Sequence, residues 1–102
     1  MPCDTGAMEP TPAVSVTRSD ERHRWELVVD GEVVAFAEFV GDDDPVTIPY
    51  IETAAQHRGQ GYSTALMLGV AEDLRRRGRS VRATCPVARG LLAERAPDVL
   101  VR

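Results

Sequence analysis

The hydrophobic pattern of this chain changes from a strand period to a helix period at the segment QHRGQG, residues 56–61. Before it, apolar residues alternate with polar ones or form short runs rich in β-branched side chains, which is typical of strands. After it, they recur at the spacing of one helical face, at Met67, Val70, Ala71 and Leu74. Because glycine costs roughly 0.5–1 kcal/mol inside a helix, two glycines here indicate a tight turn or a ligand close to the backbone.

Three strands are predicted before this junction. The alternation of residues 25–30 indicates a half-buried strand that exposes its polar residues, and Asp30-Gly31 is a strong hairpin signal because both residue types accept a positive φ. The chain then returns as Glu32–Val40, and Val46–Thr53 forms the third strand. Pro49 cannot donate a hydrogen bond to a neighbouring strand, so it marks an edge or a bulge.

The rest of the chain predicts two helices and one further strand. The first helix extends from Gly61 to Gly78, with its charged pairs, among them Asp73 with Arg77, on the side opposite the apolar face. Residues 80–84 form a short strand, and Pro86 begins a last helix that ends near Arg95. The expected fold class is α+β, with a mostly antiparallel sheet, two helices and the order β-β-β-α-β-α.

Length and composition predict one small domain, residues 17–102, after a disordered tail, residues 1–16. The N-terminus lacks the basic and apolar segments of a secretory signal, and no apolar run approaches the roughly 20 residues of a membrane span. Cys3 lies in the tail and Cys85 in the body, so a disulfide is not expected. We therefore predict a reduced, cytoplasmic protein with no membrane partner.

Charge is divided unevenly along the chain. Residues 1–55 carry a net charge of -9 and residues 56–102 a net charge of +5, and all 12 basic residues are arginine. The basic half suits an anionic ligand and the acidic half a cationic partner, although both also suit ordinary solvated surfaces. The net charge of -4 argues against nucleic acid as a partner. The consecutive aspartates of residues 42–44 lack the alternating spacing of a calcium loop, so no metal is predicted.

Glycines before a helix also suit an anion, because the first-turn N–H groups lack partners and the helix dipole is positive there. Two kinds of anion-binding loop fit poorly. A P-loop requires a lysine, and the chain has none. A dinucleotide loop requires a third glycine at position 64 and an acidic residue near position 81, where the chain has Thr64 and Val81.

The segment QHRGQG does match the pattern Q/R-x-x-G-x-G/A, and here the chain resembles the GCN5-related N-acetyltransferases (GNAT), whose acetyl-CoA loop also joins a strand to a helix. More narrowly, it is similar to the small YidJ-type group. Glu52-Thr53, the loop at residues 58–61 and Cys85-Pro86 carry this similarity, which extends over residues 22–98. The sequence of this chain departs from the pattern of that group at Tyr62-Ser63, Thr53, Val87 and Leu91.

The resemblance implies an acetyl-CoA-dependent transfer of an acetyl group to a primary amine, without a metal. Backbone amides of the loop and of the first helical turn would bind the pyrophosphate, and Arg58 would add charge unless it is an ordinary surface residue. The implied cofactor-binding residues are Arg58, Gly59, Gln60, Gly61, Tyr62 and Ser63. The group lacks the N-terminal helices that enclose the acceptor side in larger relatives, which implies an open acceptor site.

Two side chains are candidates for the chemistry. Glu52, near the end of the third strand, is a candidate base for the proton of the amine; the alternative is a strand residue that only faces solvent. His57 is a weaker candidate base than Glu52. Cys85 precedes a helix whose dipole favours a thiolate. Larger relatives use a tyrosine in the last helix as the acid, and this chain has none after Tyr62. Cys85 is therefore a candidate proton donor to CoA, a candidate acetyl-carrying nucleophile, or a small buried hydrophobe.

A second function remains open on the sequence alone. The missing tyrosine and the replaced aromatic residues also suit a non-catalytic CoA or acyl-CoA binding module of the same fold. For the acetyltransferase function, the expected acceptor is a small-molecule or protein amine. With either function, the chain is expected to be a monomer or a homodimer.

Overall fold

The strands of the sheet are neighbours in chain order. In a computed structural model that describes residues 14–41, 44–57, 59 and 61–101, four strands pair antiparallel: β1 (Val14–Ser19), β2 (Arg24–Val29), β3 (Glu32–Val40) and β4 (Val46–Thr53). A fifth, β5 (Val81–Ala83), lies parallel to β4. Because β4 and β5 are parallel, a crossover must join them, and the first helix supplies it.

Two helices pack on one face of this sheet, and together they confirm the predicted α+β fold. α1 (Tyr62–Arg77) follows a short 3₁₀ turn, Ala55–His57, and α2 (Pro86–Arg95) begins on its proline. α1 ends at Gly78, which has a left-handed φ of 66°. The amide of Arg79 donates to the carbonyl of Leu74 at 2.9 Å, which completes a Schellman cap. No helix among the described residues is long and apolar enough to cross a membrane.

The core lies between the helices and one face of the sheet, as the periodicities predict. The predicted strand residues Trp25, Leu27 and Val29 are buried, and the four predicted helical positions are buried against them: Met67, Val70, Ala71 and Leu74. The hairpin between β2 and β3 also agrees, since Asp30 and Gly31 have φ values of 51° and 86°. These positive values explain why the two residue types stand there.

A bulge in β4 sets the shape of the functional region. The register between β3 and β4 shifts by one residue between Glu38 and Val40, which confirms the interpretation of Pro49 as a bulge signal. β4 pairs with β5 only as far as Ile48, whose carbonyl accepts hydrogen bonds from the amides of Thr84 and Cys85. Beyond Ile48 the pairing ends, and β4 continues beside the start of α1.

Three details differ from the expectations. β1 was not predicted, and residues 14–16, assigned to the tail, form part of it; residues 1–13 lie outside the described residues. Asp73 was expected on the exposed side of α1, yet it is only 8% exposed, because the buried indole of Trp25 donates to it. Glu26 was expected to face solvent, yet it is also buried, and Arg22 and Arg24 pair with it.

The two glycines inside the helices should respond to alanine with opposite signs. A Cβ at Gly69 of α1 would overlap a methyl carbon of Val16 in β1, whereas one at Gly90 of α2 would meet nothing within 4 Å. We expect Gly90→Ala to raise the free energy of unfolding by about 0.5–1 kcal/mol through helix propensity alone. Gly69→Ala should lower it by about 1–3 kcal/mol, because overpacking outweighs that gain. Urea unfolding measures both; stabilisation by both variants would contradict the close packing of β1 on α1.

Candidate functional site

A cleft of about 470 Å³ lies where β4 continues past its pairing with β5. Its walls come from the end of β4, the glycine loop, the first turn of α1 and the start of α2. The described lining residues are Tyr50, Ile51, Glu52, Thr53, Gly59, Gly61, Tyr62, Ser63 and Val87. The segment identified from its change of period therefore forms one wall of a cleft that includes a carboxylate.

Both glycines of the loop have a backbone conformation that other residues rarely adopt. Gly59 has a φ of 82° and Gly61 a φ of 79°, and an added Cβ at either position would meet nothing within 4 Å. Positive φ explains why glycine stands at these positions. The open space in front of them leaves room for a ligand to approach the main chain.

The first turn of α1 faces the same cleft through Tyr62 and Ser63. Gly61 is the N-cap and makes no side-chain capping hydrogen bond, so the first-turn amides depend on other partners. The hydroxyl oxygens of Thr53 and Ser63 lie 2.9 Å apart, which ties the end of β4 to the beginning of the helix. The cleft thus presents backbone donors at the positive end of a helix dipole, where an anion binds favourably.

The carboxylate of Glu52 lies at the opposite wall, on β4. It is exposed, and the phenol of Tyr50 donates a hydrogen bond to its Oε1. Tyr50 and Glu52 are two residues apart on a strand, so both side chains leave the same face of the sheet. The hydrogen bond orients the carboxylate at the mouth of the cleft.

Cys85 lies apart from this lining. It is the N-cap of α2, is partly buried and packs against the core. It is not among the residues that line the cleft, although Val87, two residues further along, is one of them and is 56% exposed. Its predicted catalytic role therefore stays a prediction, as do the roles of the other candidates.

The structure brings together five of the predicted site residues: Glu52, Gly59, Gly61, Tyr62 and Ser63. Arg58 and Gln60, also predicted to bind the cofactor, lie outside the described residues, as do Cys3 and the side chain of His57. Within the described ranges, no group of three or more His, Cys, Asp or Glu side chains is arranged to hold a metal ion.

Tyr50 is a cleft residue that the sequence analysis did not single out. The signal was available, because the alternation of a strand places residue 50 on the same face as Glu52. Val87 was noted only as a departure from a family pattern. Its position in the first turn of α2 could be recognised as part of a site only once α2 was placed beside β4.

Comparison with known proteins finds a matching family model and a similar solved structure. The sequence model of the GCN5-related N-acetyl-transferase family matches residues 24–99. The solved structure of the ribosomal-protein-S18-alanine N-acetyltransferase from Escherichia coli is similar, with 26% sequence identity and a TM-score of 0.56. That similarity covers 78% of this chain and 55% of the Escherichia coli chain. No curated protein matches the chain significantly in sequence.

Proposed function

Because the chain belongs to the GCN5-related N-acetyl-transferase family, we propose that it transfers an acetyl group from acetyl-CoA to a primary amine at the cleft beside β4. The observation that carries this proposal is that one cleft is lined both by two glycines of positive φ, just before α1, and by the carboxylate residue Glu52 of β4. The narrower YidJ-type resemblance belongs to the same proposal.

The first requirement is a binding site for the pyrophosphate of acetyl-CoA. Gly59 and Gly61 leave space in front of the backbone, and the first turn of α1 supplies N–H donors with no side-chain cap at Gly61. Both features suit a phosphate oxygen. Tyr62 and Ser63 line the same wall, so their backbone would continue the binding surface along the first turn.

The second requirement is a base for the amine. An alkylammonium ion must lose a proton before its nitrogen can attack the thioester carbonyl. We assign this proton to Glu52, whose carboxylate faces the cleft and is oriented by the phenol of Tyr50. The C–N bond then forms, the nitrogen releases its excess proton to water, and the C–S bond breaks. The sulfur of CoA leaves as a thiolate that takes up a proton.

Cys85 remains a candidate donor of that last proton to the thiolate of CoA, or a candidate nucleophile that carries the acetyl group. Its support is its place at the N-cap of α2, two residues before the cleft residue Val87. Its partial burial against the core supports the plainer role of a packed side chain equally well. A direct substitution separates these roles.

The test is an amine panel with release of free CoA as the measurement. The panel should include a peptide that begins with alanine, because the name of the similar Escherichia coli enzyme specifies an alanine of a ribosomal protein. We expect turnover with at least one amine, and a loss of about 100-fold or more in kcat for Glu52→Gln. Cys85→Ala should lower turnover if the thiol takes part, and leave it unchanged if it only packs.

The absence of lysine makes the background of this assay low, since no lysine side chain of the protein itself can be acetylated. A hydroxylamine-labile acetyl group on Cys85, located by peptide mass spectrometry, would identify the thiol as a carrier. Binding of acetyl-CoA without transfer to any amine would instead support the alternative of a non-catalytic CoA-binding module.

A further inference from the structure

The face of the sheet opposite the helices carries a regular pattern beside the cleft. In the antiparallel register, Phe36 of β3 lies opposite Glu52 of β4, and Glu38 lies opposite Tyr50. Directly opposed residues place their side chains on the same face. Phe36, Glu38, Tyr50 and Glu52 thus form a patch, here called the acceptor patch, in which aromatic rings alternate with carboxylates.

The two aromatic rings of the acceptor patch are in contact with each other and with a cation. The ring centroids of Phe36 and Tyr50 are 6.1 Å apart, and the guanidinium of Arg24 lies 4.3 Å from the ring of Phe36. One aromatic residue of the patch therefore already binds a positive charge. Tyr50 is 44% exposed and lies at the edge of the cleft, so an aromatic side chain, the kind of group that attracts cations, borders the cleft.

The carboxylates of the acceptor patch differ from the neighbouring Glu26. Glu26 is buried and forms ion pairs with Arg24 at 2.8 Å and with Arg22 at 3.1 Å. Arg24, although it lies opposite Glu38 in the register, is directed toward Glu26 and Phe36. Glu38 and Glu52 are both exposed. They occupy diagonal positions on adjacent strands, for which the typical spacing of the Cα atoms is about 7–8 Å.

We propose that the acceptor is an amine with a second positive charge, so that Glu52 and Tyr50 receive the reacting amine while Glu38 holds the second cation. This inference rests on the proposed acetyl transfer and names its substrate class. The supporting features are the alternation of carboxylates and rings, their spacing and their continuity with the cleft. The second charge is carried either by a free aliphatic diamine or by a basic residue beside the amino terminus of a peptide.

The test compares amines that differ only in the second charge. For free amines the pair is 1,4-diaminobutane and butylamine; for peptides it is one beginning Ala-Arg and one beginning Ala-Gln. We expect kcat/KM per reactive amino group to favour the doubly charged member of at least one pair by about three- to fivefold, the upper end of the range for one exposed ion pair. The pair with the larger preference identifies the source, and the preference should decrease at high salt.

Glu38→Gln provides the decisive variant, because it removes the charge but keeps the shape. It should reduce the preference to less than about twofold. Glu72→Gln, an equal charge change on α1 beside β1, should keep it. Calorimetric titration of the protein with 1,4-diaminobutane in the absence of acetyl-CoA provides a measurement that does not depend on turnover.

Equal kcat/KM values within both pairs, or a preference that survives Glu38→Gln, would overturn the inference while leaving acetyl transfer intact. Failure to acetylate any amine would overturn the proposed function instead. In that case, calorimetry would still support the acceptor patch if Glu38→Gln weakened binding of the diamine. Equal binding of the diamine by the unmodified protein and by Glu38→Gln would count against it.

Discussion

The Gly61→Asn variant should fold normally and lose at least tenfold in affinity for acetyl-CoA, about 1.4 kcal/mol. Gly61 has a φ of 79°, and asparagine tolerates this region far better than alanine or valine. The backbone should therefore stay as it is, while the new side chain enters the open space in front of the helix amides. Calorimetry or a thermal shift with acetyl-CoA measures the loss.

Gly78→Asn is the matched control for this prediction. Gly78 ends α1, has a φ of 66°, and also has open space where a Cβ would stand, but it lies at the other end of the helix from the cleft. Its variant should bind acetyl-CoA as the unmodified protein does. Full affinity in Gly61→Asn would mean that the pyrophosphate does not use the first turn of α1.

Replacement of Asp73 by leucine should lower the free energy of unfolding by about 2–3 kcal/mol. Asp73 accepts a hydrogen bond at 2.9 Å from the indole N–H of Trp25, which is completely buried. Leucine would leave this donor without a partner inside the core. Asp73→Asn keeps an acceptor for the indole and should lose less, so urea unfolding of the two variants separates the hydrogen bond from the charge. Equal losses would assign the effect to charge alone.

The same carboxylate should make stability depend on pH. Burial alone would raise the pKa of Asp73, but hydrogen bonds from Trp25 and Arg76 and the charge of Arg77 outweigh it and hold the pKa below its ordinary value. The unfolded chain therefore binds this proton at a higher pH than the folded chain. The stabilisation is present above the unfolded pKa and is lost as the pH falls below about 4. Asp73→Asn should lack this part of the acid sensitivity.

Much of the fold could be predicted because its signals are local. The hairpin at Asp30-Gly31 and the termination of α1 at Gly78 depend on positive φ, which the residue type reveals by itself. The buried face of α1 follows from the 3.6-residue period. β1 was not predicted. It lies at the edge of the sheet and none of its residues is fully buried, so its sequence shows no clear alternation of apolar and polar residues.

Much of the candidate site could be predicted for a similar reason. Glycines at a strand-to-helix junction indicate an anion loop wherever the fold places them, and Glu52 lies seven residues before the first of these glycines. Glu38 gave no comparable signal, and for Tyr50 the only signal was the strand alternation that places it on the face of Glu52. Tyr50 belongs to the site because β4 leaves β5 after Ile48, and Glu38 because the register of β3 against β4 places it opposite Tyr50.

The sequence by itself determined the type of each strand and α-helix after β1, the hairpin turn between β2 and β3 and the loop that opens α1. These depend on backbone preferences and periodicity within a few residues. Only the tertiary structure decided that Asp73 and Glu26 are buried, that Cys85 lies outside the cleft lining, and that carboxylates alternate with rings beside Glu52. Burial and neighbourhood depend on partners distant in sequence, such as Trp25 and Asp73, 48 residues apart, and no local pattern encodes such a pair.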